Sequence, residues 1–143
     1  MIATTDQETQ EVCGRWFGAL ARHDGAAALS VLADDVLWIN GPGVKGLSDI
    51  IPWLGIYRGR EAVIGTFKIW GELSEVKEFE LKDLFVKGDQ ALALVHEKAL
   101  IKPTGKYYDM EFIQRITVKD GHIVRWQSYW DTCLGVAAFR RDG

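Results

Sequence analysis

The sequence predicts an α+β domain, with three helices packed across one face of a twisted, mostly antiparallel sheet, and three observations predict it. From Tyr107 to Asp131 two runs of alternating character flank Asp120-Gly121, a pair that tolerates the positive φ angles of a tight turn, so this stretch reads as a long β-hairpin. Val12, Trp16, Ala19 and Leu20 recur at helical spacing, as do Val63, Thr66, Phe67, Trp70 and Leu73. Between the second of these patterns and the hairpin lie two further extended runs, so helices come first and a meander of four strands follows. A sheet of that length has one face to bury, and three helices laid across it leave a concave, hydrophobic pocket between them.

Taken in order, the first helix runs from about Thr5 to Arg22 and is broken at His23-Asp24-Gly25, after which Asp24 caps a short second helix through Leu32. Ala33-Asp34-Asp35 leads into a strand from Val36 to Asn40. Gly41 to Gly46 is a loop by composition. The apolar piece Ile50-Ile51-Pro52-Trp53-Leu54 reads as a cover over the pocket, because Pro52 bars a regular helix. The third helix spans about Arg60 to Leu73, and the strands Val76 to Val86 and Ala91 to Lys102 are separated by Lys87-Gly88-Asp89. Pro103-Thr104-Gly105 then turns the chain into the hairpin. In its first arm Tyr108, Met110, Phe112, Gln114, Ile116 and Val118 share the apolar face, and in its second arm Val124, Trp126, Ser128 and Trp130 do. Residues 1–143 form a single domain with its core at about 8–132, and 133–143 are expected as a loosely held tail.

With 48% hydrophobic and 26% charged residues, a chain of 143 residues has the make-up of a soluble globule. A net charge of −3, and no cluster of Lys and Arg interleaved with aromatics, exclude nucleic acid as an expected partner. No stretch approaches the roughly 18 apolar residues of a membrane span, and the N-terminal segment has no basic run followed by an apolar one. Cys13 and Cys133 are too few and too far apart for a disulfide framework or a metal motif, which fits a reduced, cytoplasmic setting. The three scattered histidines add no coordination set, so neither a metal nor another cofactor is expected. Six tryptophans serve either as ordinary core or as the walls of a cavity for a bulky apolar ligand.

The order of elements, with ADDVLWIN after the second helix, IYRGREAV opening the third, PTGKYYD before the hairpin and KDGHIVRWQSYWD closing it, resembles the SnoaL-like and ketosteroid-isomerase-like proteins of the nuclear transport factor 2-like superfamily. The resemblance covers roughly residues 8 to 132. It implies a cone-shaped α+β domain whose strongly curved sheet encloses the pocket, a superfamily that hosts isomerases, dehydratases, cyclases, epoxide hydrolases and non-catalytic binders. At the positions of the ketosteroid isomerases' Tyr and two Asp residues this chain carries Trp16, Asn40 and Gln114, which supply neither their base nor their phenol. Limonene-epoxide hydrolases are locally more similar. At the places of their Tyr, Asn, Arg and two Asp residues stand Trp38, Asn40, Val95, Glu97 and Ser128, so the Asn is kept and Glu97 is a conservative replacement.

Chemistry must then come from polar groups on the inner surface. Glu97 alternates with Ala93, Val95, Ala99 and Ile101, and a carboxyl among apolar neighbours has its pKa raised into a range useful for acid–base work. The alternative is a Glu97 that faces outward into a salt bridge. His96 shares the opposite parity with Leu92, Leu94 and Leu100, so one of the two faces the pocket in a regular strand. Asn40, Gln114 and Ser128 read as hydrogen-bonding groups that orient a ligand oxygen, because no base stands at a recognisable spacing to activate Ser128. The expected lining is Trp16, Trp38, Trp53, Tyr57, Phe67, Met110, Phe112, Trp126 and Trp130. Three classes of function fit. A cyclase or isomerase would fold a hydrophobic, polyketide- or terpenoid-like substrate in the aromatic pocket, with hydrogen-bond or carboxyl assistance. An epoxide-hydrolase-like enzyme would add water with Glu97 and Asn40. A binding protein would hold a small hydrophobic ligand without chemistry. The mixed outer faces of the hairpin, with Ile113, Arg115, Thr117, Gln127 and Tyr129, point to a homodimer through the sheet, as the resemblance also implies.

Overall fold

The computed structural model describes residues 4–141. One sheet holds six strands, β1 (Leu32–Asn40), β2 (Gly55–Arg58), β3 (Ser74–Lys87), β4 (Gln90–Ile101), β5 (Lys106–Lys119) and β6 (His122–Tyr129). Their order is β2-β1-β6-β5-β4-β3, with β1 parallel to β6 and every other neighbouring pair antiparallel. The helices are α1 (Asp6–Ala21), α2 (Gly25–Ser30), the single turn α3 (Leu47–Ile50), α4 (Arg60–Leu73) and α5 (Thr132–Phe139). The expected α+β class, the four-strand meander and the Asp120-Gly121 turn are all present, and both turn residues take positive φ, 52° and 75°.

Bulges give the sheet its curvature. The partly buried apolar residues of β3 fall at Val76, Phe79, Leu81, Leu84 and Val86, a pattern that a strand of strict period two cannot hold on one face. The β3–β4 register slips between Val76 and Glu78 and again between Leu81 and Asp83, and each slip returns the apolar residues to the inner side while bending the strand. A third irregularity between Thr117 and Val118 on β5 corrects the expected parity of β6. Ile123 is fully buried and Val124 only half-buried, because the bulge inverts the alternation ahead of Trp126.

Helix α1 starts at Thr5, whose hydroxyl accepts a hydrogen bond from the Glu8 N–H at 3.1 Å, the Thr-x-x-Glu arrangement of a capping box. Asp6 and Thr9 then bond the Gly88 backbone in the β3–β4 turn, both at 2.6 Å, which fixes the helix over the sheet.

Three local expectations are corrected. The second helix ends at Ser30, and Leu32 already belongs to β1, where it is fully buried in line with Ile123. Gly55–Arg58, read from sequence as connection, is an edge strand too short to announce itself by alternation. The tail expected at 133–143 contains the helix α5, capped by Asp131 and tied to the β4–β5 turn by Thr104, whose hydroxyl donates to the Ala138 carbonyl at 2.6 Å. This helix is apolar around its circumference, so it offers no amphipathic period to read.

Gly135 lets α5 lie flat on Trp130. A Cβ added there would stand 2.6 Å from two atoms of the Trp130 ring and 2.9 Å from Ile51. Gly135→Ala is therefore expected to lower stability by about 1–3 kcal/mol in urea denaturation. Gly14→Ala on α1, where nothing lies within 4 Å of the new carbon, is expected to raise it by up to ~1 kcal/mol. Equal, small effects of the two substitutions would show that α5 is not seated tightly on the Trp130 ring.

Candidate functional site

The concave inner face of the sheet is not filled by the helices. A cavity of about 490 Å³ remains between strands β3 to β6, the end of β1, and helices α1 and α4, with Trp53 of the cover closing it on one side. Exposed residues of the lining, His23 and Asp24 after α1 and Glu75 and Lys102 across from them, mark its rim.

The parity of β4 resolves in favour of Glu97. Its side chain points into the cavity and is 4% exposed, while His96 lies on the outer face between Asp109, at 2.5 Å, and Glu78, at 3.9 Å. The outward-facing contacts with carboxylates are thus made by His96 and not by Glu97. Within the cavity Glu97 accepts a hydrogen bond of 2.7 Å from the phenol of Tyr108 on β5. Burial pushes the Glu97 carboxyl up to about 7, against smaller downward effects of the Tyr108 hydrogen bond and the nearby His96. Burial likewise drives the Tyr108 phenol well above its ordinary range, reinforced by the negative charge of Glu97. Near neutrality the Glu97 carboxyl is thus divided between its protonated and ionised forms, while the phenol keeps its proton and stays a donor.

A second polar group is held just as firmly. Trp126 donates its indole N–H to Gln114 Oε1 at 3.0 Å, which orients the amide and leaves its N–H₂ end without a partner among the described residues. Asn40 and Ser128 also line the cavity.

The rings form an arc around these groups. Trp38 and Trp126 stack with centroids 3.6 Å apart and planes 9° from parallel. Trp38 meets Trp16 and Phe67 edge-on, Phe67 meets Trp70, and beyond Trp70 come Tyr108, Trp130 and Trp53. Of the residues the sequence placed in the lining, Trp16, Trp38, Trp53, Phe67, Phe112, Trp126 and Trp130 are there. Tyr57 and Met110 are not. Tyr57 sits on the edge strand β2 and donates its hydroxyl to the Leu54 carbonyl at 3.0 Å, and Met110, though buried, packs beside Glu97 without reaching the cavity. Tyr108 and Trp70 are the functional candidates that the sequence reading passed over. Tyr108 shares the inner parity of Phe112 and Gln114, and a buried phenol there needs an acceptor, a signal present in the sequence by which it could be found.

A SnoaL-like domain model matches residues 14–126 of the chain. No curated protein sequence matches it. Among solved structures, an NTF2-like protein of Burkholderia thailandensis shares 24% identity over 98% of this chain and 99% of that one, with a TM-score of 0.81. An NTF2-like protein of Burkholderia xenovorans shares 25% over 94% and 97%, with a TM-score of 0.77. A Mesorhizobium loti protein described as a candidate SnoaL-like polyketide cyclase shares 24% over 85% and 97%, with a TM-score of 0.70. At these identities the likeness speaks for the fold, and both the cone and its curved, unclosed sheet agree with it. Among the described residues no group of His, Cys, Asp or Glu could hold a metal ion, and no helix is long and apolar enough to cross a membrane.

The raised carboxyl has a consequence for stability. Glu97 binds its proton more tightly when folded than when unfolded, so the stability it contributes is fully present below its ordinary value of 4.5 and is lost as pH rises through about 7. Urea denaturation of the protein and of Glu97→Gln at pH 5 and pH 8 isolates this, since other groups cancel in the difference. The variant is expected to gain on the native protein by an amount on the order of 3 kcal/mol between the two pH values. A pH-independent difference would place the Glu97 carboxyl in water.

Proposed function

The chain belongs to the SnoaL-like domain family, and from that premise we propose that it is a small-molecule enzyme, a cyclase or isomerase that uses Glu97 as acid and base on a hydrophobic, polyketide- or terpenoid-like substrate. The observation that carries this reading is the buried Glu97–Tyr108 pair inside an aromatic cavity. With its pKa near the operating pH, the carboxyl accepts a proton from a carbon next to a carbonyl and returns it later. As the carboxylate takes that proton it becomes a poorer acceptor, and the Tyr108 O–H turns to the oxygen of the forming enolate. The enolate carbon then attacks a second carbonyl of the folded chain, giving cyclisation, or is reprotonated elsewhere by Glu97, giving isomerisation. The rings hold the substrate in the reactive fold, and such orientation lowers barriers by up to roughly 7–11 kcal/mol.

The reaction can be followed without the natural substrate. Exchange of the protons next to the carbonyl of tetralone, a flat aromatic ketone, is measured by NMR in deuterated buffer. The protein is expected to accelerate it, with a rate that rises as Glu97 loses its proton around pH 7. Glu97→Gln should slow exchange by about 10²–10⁴-fold, while Trp126→Ala weakens binding and rate together. Binding of the ketone with no acceleration of exchange would leave a binding protein, and exchange that is unchanged in Glu97→Gln would remove the acid–base role.

We also propose a homodimer through the outer face of the sheet. Phe85, Leu92, Ile113 and Tyr129 are 41–60% exposed there on neighbouring strands, an apolar patch interleaved with Arg115 and Gln127. Light scattering at micromolar concentration is expected to give twice the chain mass, and Ile113→Glu to halve it. A monomer mass for the native protein would refute the pairing.

A further inference from the structure

The polar residues of the cavity floor are not scattered. Asn40 on β1 pairs with Ser128 on β6, and Ser128 pairs with Gln114 on β5, so the three stand in one row across adjacent strands at ~4.8 Å intervals. The row is bounded by apolar ones. Trp38, Trp126 and Ile116 form the row on one side, and Phe112 and Trp130 stand on the other. Gln114 and Ser128 are each 4% exposed, and polar groups so buried carry a cost unless they are bonded. Trp126 satisfies only the carbonyl end of Gln114. The Gln114 N–H₂, the Ser128 hydroxyl and the Asn40 amide have no hydrogen-bond partner among the described residues, and all three residues line the cavity.

Glu97 is at some distance from this row. The β4 partner of Gln114 is Ala93, four residues before Glu97, which is at most ~13 Å along the strand. Val95, Phe112 and the Trp130 ring fill the interval with apolar surface.

Resting on the reading of Glu97 as the reacting group, we infer that the cavity selects an elongated, flat and largely aromatic molecule with an oxygen function at each end, one at Glu97 and Tyr108 and the other, a carbonyl-type acceptor, on the rung of Asn40, Ser128 and Gln114. The rung sets specificity by subtraction. A ligand of the same shape lacking the far oxygen enters the same aromatic walls but leaves the amide and hydroxyl groups unpaired, and a site built to bond an oxygen rejects such an analogue more strongly than an apolar site rejects an extra methyl group. Gln114 is the discriminating member. Its oxygen is already committed to Trp126, so it presents donors, and a carbonyl oxygen suits it where a hydroxyl held as a donor does not.

The test uses two unreactive probes, para-hydroxybiphenyl and its analogue with a carboxamide at the opposite para position, titrated by calorimetry and by quenching of tryptophan fluorescence. The carboxamide is expected to bind about tenfold more tightly, the worth of one or two net hydrogen bonds. In Asn40→Leu and Ser128→Ala, which leave the Trp126–Gln114 hydrogen bond in place, that gain should shrink to about threefold or less, with a cooperative thermal melting transition reporting an intact fold. In Glu97→Gln the gain should persist, so a failure of proton exchange in the same protein bears on the chemistry and not on the rung. Equal affinity for the two probes, a gain that survives both rung variants, or no binding of either probe would each overturn the inference.

Discussion

The bulged pairing of β3 with β4 is the constraint on which the rest of this structure depends. A strand whose apolar residues come at intervals of three and two keeps them on one face only by slipping register twice, and each slip bends the sheet toward that face. A flatter sheet would let α1 and α4 settle onto it and fill the space. Curvature holds them off in the middle, where Phe17 stacks on Phe79 at one edge and Trp16, Trp38 and Phe67 meet at the other, so contact is made around a void. The cavity is what remains when a curved sheet and straight helices satisfy their apolar surfaces at the margins.

Inside such a void a carboxyl is costly, and the cost is what raises its pKa. Glu97 has one strong partner, Tyr108, and the phenol's own burial keeps it from ionising in competition. The same carboxyl one residue earlier would share the fate of His96, which lies among Glu78, Asp109 and bulk water on the outer face. Position within the pleat, and not residue type, separates a surface hydrogen-bonding group from a buried carboxyl with a raised pKa.

Most of the fold was legible because its signals are local. Asp120-Gly121 fixes its hairpin by turn chemistry, and β4 carries no bulge relative to β5, so the alternation of Ala93, Val95, Glu97 and Ala99 could be followed without error. The failures are non-local or featureless. Val124 exchanged places with Ile123 because one extra residue in β6 inverts the parity, and nothing within HIVRW marks it except the three-residue step from Ile123 to Trp126. Helix α5 lacks an apolar stripe because Trp130 and Ile51 meet it on one side while its end packs on the β4–β5 turn. Tyr57 looked like lining because it is aromatic and close in sequence to the cover, yet β2 is the sheet's edge and its ring folds back on Gly55 and Leu54. The site was legible as a list of inward residues. The pairs within it, Glu97 with Tyr108 and Gln114 with Trp126, required the register between strands.

Most of the departures from good local chemistry stand around the same void. Trp16 and Trp38 bury their indole N–H groups without a hydrogen-bond partner among the described residues, as Arg125 does its Nε away from the cavity lining, and at the cavity rim His23 adopts φ of 57°. That last position closes α1 in the manner of a Schellman motif, with the Asp24 N–H bonded to the Ala19 carbonyl and the His23 N–H to that of Leu20, where glycine would be free of strain. Each departure costs on the order of 1–3 kcal/mol, a sizeable share of a total stability of roughly 5–15 kcal/mol. Elsewhere the chain is conventional, with capped helices, a tight hairpin turn and anchored ends. Three of these departures border the cavity and the Arg125 Nε does not, so the cost falls mainly on the walls that a ligand would face.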